Sequence, residues 1–171
     1  MADAASVTPT LLDQPLASGR IALAGLTTGL LPAMTWLDGA LAPEWTRADL
    51  ETAVTAGNGV LISDSGGAAI GVAVVLRDVP APGSATVPFL AVDPDRRFRG
   101  LGGEAGLALD AHLRSHGFEK VYAPVPDGRG LAVYFWLRLG FKPLTVPDSP
   151  GPLVGLSREP VHGIWMLRDG A

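Results

Sequence analysis

Val92 to Leu113 reads VDPDRRFRGLGGEAGLALDAHL, and this stretch decides the fold. The run Val87-Pro88-Phe89-Leu90-Ala91-Val92 before it is apolar and predicts a strand. Asp93-Pro94-Asp95 breaks that strand. Arg97-x-x-Gly100-x-Gly102 follows, and then apolar residues recur at helical spacing. A strand, a glycine loop and a helix start together form an anion site. The first N–H groups of a helix have no internal acceptor, and the helix dipole favours negative charge there. Glycine lets the backbone approach a phosphate closely. Arg96, Arg97 and Arg99 add positive charge. The expected ligand carries a phosphate or pyrophosphate.

Three glycine-loop chemistries compete. A nucleotide P-loop requires Gly-x-x-x-x-Gly-Lys-Ser/Thr, which the chain lacks. Gly100-x-Gly102-x-x-Ala105 nearly meets the dinucleotide fingerprint. That fingerprint also needs an acidic residue at the end of the next strand, whereas Glu119 precedes the strand expected at Lys120–Val125. It usually opens its domain, and about half of this chain lies before it. The third reading fits best. Arg-x-x-Gly-x-Gly between strand and helix resembles the acyl-CoA loop of the GNAT acetyltransferase superfamily. A later block, Ala132-Val-Tyr-Phe-Trp-Leu-Arg-Leu-Gly140-Phe141, resembles the family's helix ending in Leu-Gly-Phe.

Composition sets outer bounds. The 171 residues suit one domain, with a loose tail expected over 1–18 and a GNAT-like domain over 19–171. Hydrophobic residues make up 47%, enough for a core. A net charge of −4 argues against nucleic-acid binding through bulk charge. Cysteine is absent, which removes disulfides, thiolate zinc sites and a Cys nucleophile, and suits a cytoplasmic protein. Three scattered histidines lack ligand spacing, so no metal site is expected. No signal peptide is legible at the N-terminus. Residues 21–37 carry no charge, but Gly25, Gly29 and Pro32 favour strand, turn and buried helix over a membrane span.

Along the chain, strands are expected at Arg20–Leu26, Val60–Ser63, Ala69–Leu76, up to Val92, Val121–Val125, Phe141–Val146 and Gly163–Leu167. Helices are expected at Thr28–Leu37, Thr46–Ala56, Gly103–His116 and Gly130–Leu139. Thr46-x-x-Asp49 has the form of a capping box. Residues 147–160 hold four prolines and two glycines and predict an irregular loop. The mixture is α+β, and its order resembles the GNAT fold, a mixed and mostly antiparallel sheet flanked by helices.

The resemblance implies transfer of an acetyl group from acetyl-CoA to a primary amine, by direct attack in a ternary complex. It places the pantetheine arm of the cofactor against Leu90, Ala91 and Val92. It places the pyrophosphate on Phe98, Arg99, Gly100, Leu101, Gly102 and Gly103, beside Arg97. Arg129 stands where relatives often carry an Asn that contacts the arm. Relatives often carry a leaving-group Tyr where this chain has Trp136. Tyr134 is therefore the candidate acid and Trp136 a candidate wall of the thioester channel. Relatives with a base carboxylate on the strand before the loop find no counterpart in Ser84–Val92, so Glu44, Asp78, His162 or water are the candidate bases. Trp36 and Trp45 fall in the region that lines the acceptor site in the family. The acceptor stays open among small amines, amino acids, antibiotics and protein termini, and a homodimer is compatible. The missing Tyr and strand carboxylate leave an acyl-CoA-binding module without turnover as the alternative.

Overall fold

The computed structural model describes residues 11–41, 44–97, 99–151, 153–154 and 160–170. Its strands are β1 (Leu16–Ser18), β2 (Ile21–Gly25), β3 (Gly59–Asp64), β4 (Ala69–Arg77), β5 (Ser84–Val92), β6 (Lys120–Pro126), β7 (Lys142–Pro143), β8 (Leu153–Val154), β9 (Pro160–Val161) and β10 (Gly163–Asp169). Its helices are α1 (Leu37–Ala40), α2 (Arg47–Thr55), α3 (Leu101–Ser115) and α4 (Gly130–Arg138). Eight strands form one sheet in the order β1-β2-β3-β4-β5-β6-β10-β7. Within it only β5 and β6 run parallel. This is the expected α+β, mostly antiparallel architecture.

Apolar residues at helical spacing bury one face of α3 under the sheet. Leu101, Ala105, Leu109 and Leu113 are at most 7% exposed, whereas Leu107 points to solvent. Each buried leucine adds about 1.5–3 kcal/mol of hydrophobic stabilisation. α3 and α4 cover this face with Val75, Val87, Val121 and Phe141. The opposite face packs Leu31, Leu37, Leu50, Val72, Val74 and Phe89 with α1 and α2. Thr46 caps α2: its side chain accepts from Asp49 N–H, and the Asp49 carboxylate accepts from Thr46 N–H. The expected capping box is therefore formed.

Some element boundaries differ from expectation. The ordered sheet begins inside the expected tail, since Leu16–Ser18 pairs with β2 and Leu11 and Leu12 are buried. Residues 1–10 lie outside the described residues. The helix expected over Thr28–Leu37 is a 3-10 helix at Thr28–Ala33 followed by the short α1, because Pro32 cannot donate to a continuous α-helix. The strand expected over Phe141–Val146 shrinks to Lys142–Pro143, after which the chain turns away in another 3-10 helix at Val146–Asp148. No helix among the described residues is long and apolar enough to cross a membrane.

One irregularity shapes the functional end. Val74 pairs with Phe89 and Leu76 with Thr86, so Val87 and Pro88 of β5 stand opposite the single residue Val75. This is a β-bulge, and Pro88, lacking an N–H, sits within it. The extra residue switches faces: Val87 packs on the α3 side and Phe89 on the α2 side. Pairing between β5 and β6 covers only Ser84–Thr86 with Lys120–Tyr122. Beyond the bulge the two parallel strands separate into a wedge.

Candidate functional site

The wall of the wedge is the free edge of β5. Asp93 N–H donates to Ile70 O at 2.8 Å. Antiparallel pairs alternate, so Ala91 and Phe89 also direct their backbone groups toward β4, and Leu90 and Val92 direct theirs away. The Leu90 and Val92 backbone thus faces the opening where β6 has departed. The sequence groups Leu90, Ala91 and Val92 together at an extended ligand arm. Only Leu90 and Val92 present backbone groups to it, and Ala91 lies 8% exposed under the α2 side.

At the end of β5 the chain turns through Asp93, whose carboxylate accepts from Asp95 N–H, and a 3-10 turn at Pro94–Arg96. Gly100 takes φ +78°, a left-handed conformation that a side chain strains, and starts α3. The first α-type bond of α3 runs from Glu104 N–H to Gly100 O. The N–H groups of Leu101, Gly102 and Gly103 therefore lack helical acceptors and line a cradle that can hold an anion. Phe98 lies outside the described residues.

The three loop arginines have different surroundings. Arg96 is tied to Asp64, the last residue of β3, at 3.1 Å. Hydrogen bonds from Ala68 N–H, from Gly66 N–H and from Arg96 hold the Asp64 carboxyl below its ordinary range. Arg97 reaches back weakly to Val92 O at 3.4 Å, and Arg99 is exposed. Neither has a carboxylate partner among the described residues, so both cations remain available beside the cradle. Sequence reasoning missed a fourth cation. Arg20, on the turn between β1 and β2, donates to Glu104 Oε1 at 2.7 Å and to Arg99 O at 2.9 Å. It neutralises the one acid in the first turn of α3 and holds the loop from below. Its side-chain hydrogen bond keeps the Glu104 carboxyl below its usual value. No local pattern marks Arg20, because its partners lie about eighty positions further along the chain.

The second block lies where α4 covers the α3 side of the wedge. Trp136 is 6% exposed, with its ring 4.7 Å from Phe141 and 5.1 Å from Phe135. Tyr134 projects outward, 57% exposed, with the Arg138 guanidinium 5.9 Å from its ring centre. The two residues thus sit on different sides of α4, as their two-residue offset requires. α4 comes close to α3 because Gly106 has no side chain: a Cβ there would lie 2.6 Å from Leu139 Cδ1.

The candidate bases are scattered. Asp78 lies at the other end of β4, beside a hollow of about 490 Å³ lined by Asn58, Leu76 and Phe118. His162 is exposed, and its backbone O accepts from Asp127 N–H. Glu44 reaches the wedge through Arg129. Arg129 lies 3.5 Å from Glu44 Oε2, and Trp45 packs on Phe89 with ring centres 4.9 Å apart and planes tilted by 38°. Trp36 packs at the edge of the same apolar layer. No group of His, Cys, Asp and Glu able to hold a metal occurs among the described residues.

Comparison with known proteins follows the same lines. The family model for "Acetyltransferase (GNAT) family" matches residues 31–141. Solved structures of similar fold include a GNAT-family acetyltransferase from Bacillus anthracis, with a TM-score of 0.68, 11% identity and coverage of 91% of this chain and 98% of that one. An acetyltransferase from Thermus thermophilus gives a TM-score of 0.65, 19% identity and coverage of 90% and 99%. A GNAT family acetyltransferase from Elizabethkingia anophelis with acetyl-CoA bound gives 0.65, 16% identity and coverage of 88% and 98%. No curated protein matches the chain in sequence. A doubly wound dinucleotide fold is excluded by the antiparallel sheet.

Proposed function

Because the chain belongs to the GNAT acetyltransferase family, we propose that it transfers an acetyl group from acetyl-CoA to a primary amine by direct attack in a ternary complex. The observation that carries this reading is that the Leu90–Val92 edge of β5, without a strand partner among the described residues, leads through residues 93–99 to the bare N-terminus of α3. The edge suits an extended pantetheine arm, through Leu90 and Val92 with Ala91 behind them. The Gly100–Gly103 cradle suits the pyrophosphate, with Arg97 and Arg99 beside it. Trp136 lines the thioester end of the wedge. Arg129 borders the arm through its place at the start of α4, while its guanidinium faces Glu44.

The amine nitrogen attacks the thioester carbonyl carbon as a neutral base. A C–N bond forms, the C–S bond breaks and CoA leaves as thiolate. Leu90 N–H, aimed into the wedge, stabilises the oxyanion. The proton lost from the amine passes to water or to Glu44. Protonation of the leaving thiolate is not essential. A thiol of pKa near ~8.5 leaves unprotonated at pH 7 at a cost of about 2 kcal/mol. Tyr134 is therefore dispensable, and water supplies the proton. The absence of cysteine is in keeping with a cytoplasmic enzyme.

The test is CoA release from acetyl-CoA on addition of amines. The wild type releases CoA only with an acceptor present. Gly100→Glu, which puts bulk and negative charge into the cradle, loses both release and acetyl-CoA binding. Undiminished acetyl-CoA affinity in that variant removes the cradle from the cofactor site.

A further inference from the structure

Glu44 and Arg129 join the two walls of the wedge. Glu44 directly precedes Trp45, whose ring packs at a tilt on Phe89 of β5. Arg129 begins α4 just beyond the end of β6. Their 3.5 Å contact is an ion pair too long for a good hydrogen bond. The Glu44 side chain is 15% exposed, and its Oε2 is buried without a hydrogen-bond partner among the described residues. The Arg129 guanidinium, 40% exposed, makes no side-chain hydrogen bond among those residues either. Buried carboxylate oxygens are ordinarily satisfied by donors. Here a donor is missing at the mouth of the opening that an acceptor amine must enter.

We propose that Glu44 and Arg129 select an acceptor bearing an ammonium and a carboxylate on one carbon, that is, a free α-amino acid. This inference rests on the acetyl-transfer reading above. A guanidinium offers two donor edges, and only one faces Glu44. A carboxylate fits the other edge bidentately. The ammonium on the same carbon then pairs with the Glu44 carboxylate, which the long Arg129 contact leaves underbonded. Charge balance favours the same class. The pair is neutral, so a zwitterion leaves the mouth neutral, whereas a simple amine enters as a cation and leaves an unmatched charge. Trp45 and Phe89 offer apolar surface for the side chain of the amino acid.

The experiment compares each amino acid with its α-carboxamide and its decarboxylated amine, reading CoA release with a thiol-reactive dye. The expected wild-type kcat/KM is at least about tenfold higher for the free amino acid than for either analogue, as a site built around a polar group rejects analogues that lack it. In Arg129→Gln that ratio falls to within about threefold, and Arg129→Lys, which keeps the charge but not the fork, is intermediate. In Glu44→Gln the acceptor KM rises about tenfold while that for acetyl-CoA stays within about twofold. Equal wild-type rates across the three analogues overturn the inference, and they do so even if a variant fails to fold. An increase confined to the acetyl-CoA KM in Arg129→Gln, with the acceptor ratio unchanged, also overturns it, because Arg129 then serves the cofactor. Transfer to amines with no carboxylate preference defeats this inference alone, and transfer to no amine defeats the acetyltransferase reading with it.

Discussion

Tyr134 and Gly106 carry opposite lessons about single residues. Tyr134 is the sequence candidate for the acid, yet it stands 57% exposed on the outer side of α4, and Trp136 occupies the buried position. Tyr134→Phe should keep kcat within about twofold, since the hydroxyl contributes nothing to thiolate departure there. A fall of about tenfold or more, measured under saturating acetyl-CoA, would make Tyr134 the acid after all. Gly106 looks replaceable from sequence, because alanine gains about 1 kcal/mol of helix propensity over glycine. The added Cβ, however, meets Leu139 Cδ1 at 2.6 Å, and Leu139 is itself only 7% exposed. Leu139 Cδ1 ends a side chain that is packed into the core, so moving it costs about 2 kcal/mol, within the range of about 1–3 kcal/mol for overpacking and more than the propensity gained. Gly106→Ala should therefore lower stability by about 1 kcal/mol in a denaturant titration, a shift of about 2–4 °C in Tm for a domain of this size. A rise in stability would show that Leu139 turns aside freely.

At the scale of elements, the loop leading into α3 is held by a contact between the β1–β2 turn and α3. Arg20 binds Glu104 and the Arg99 carbonyl together. The Glu104 carboxyl is held below its usual 4.5 by the Arg20 hydrogen bonds. Its contribution is thus fully present above about pH 4.5 and disappears as pH falls through the lower folded value. The Tm difference between wild type and Glu104→Gln should be clear at pH 6 and close progressively below pH 4.5. A difference that persists unchanged to pH 3 would mean that the carboxylate charge is irrelevant to the tether. This contact also marks the limit of what the sequence disclosed. Strand, loop and helix at Val87–Leu113 were legible because their signals are local: an apolar run, glycines, then a 3.6-residue period. The capping box at Thr46 was legible for the same reason. The bulge at Val87–Pro88, the face switch to Phe89, Arg20 beneath the loop and Arg129 opposite Glu44 were not. Each depends on register or on partners far apart in the chain. The long helix expected after Thr28 failed through Pro32, a local signal that the apolar run outweighed.

For the whole molecule, the proposed cofactor site couples ligand to fold through the wedge. β5 and β6 are joined at one end only, by Ser84–Thr86 against Lys120–Tyr122. Past that join the walls are held by the helices that cover them and by the Glu44–Arg129 pair. A ligand that lies along β5 and reaches α3 adds contacts which the unfolded chain cannot make, so acetyl-CoA should raise Tm by mass action. At 100 times its dissociation constant, a ligand adds about 2.7 kcal/mol. At about 2–4 °C per kcal/mol for a domain of 150–250 residues, this is a shift of roughly 5–11 °C. NAD and ATP share the pyrophosphate but lack the pantetheine arm, so they engage the cradle without the β5 edge and should give much smaller shifts. Gly100→Glu should lose the acetyl-CoA shift while Glu44→Gln keeps it, because the first substitution is in the cradle and the second is on the acceptor side. Equal stabilisation by all three ligands would mean that the cradle binds phosphate alone and that the free edge of β5 holds no arm. A larger shift with NAD than with acetyl-CoA would overturn the assignment of the wedge itself.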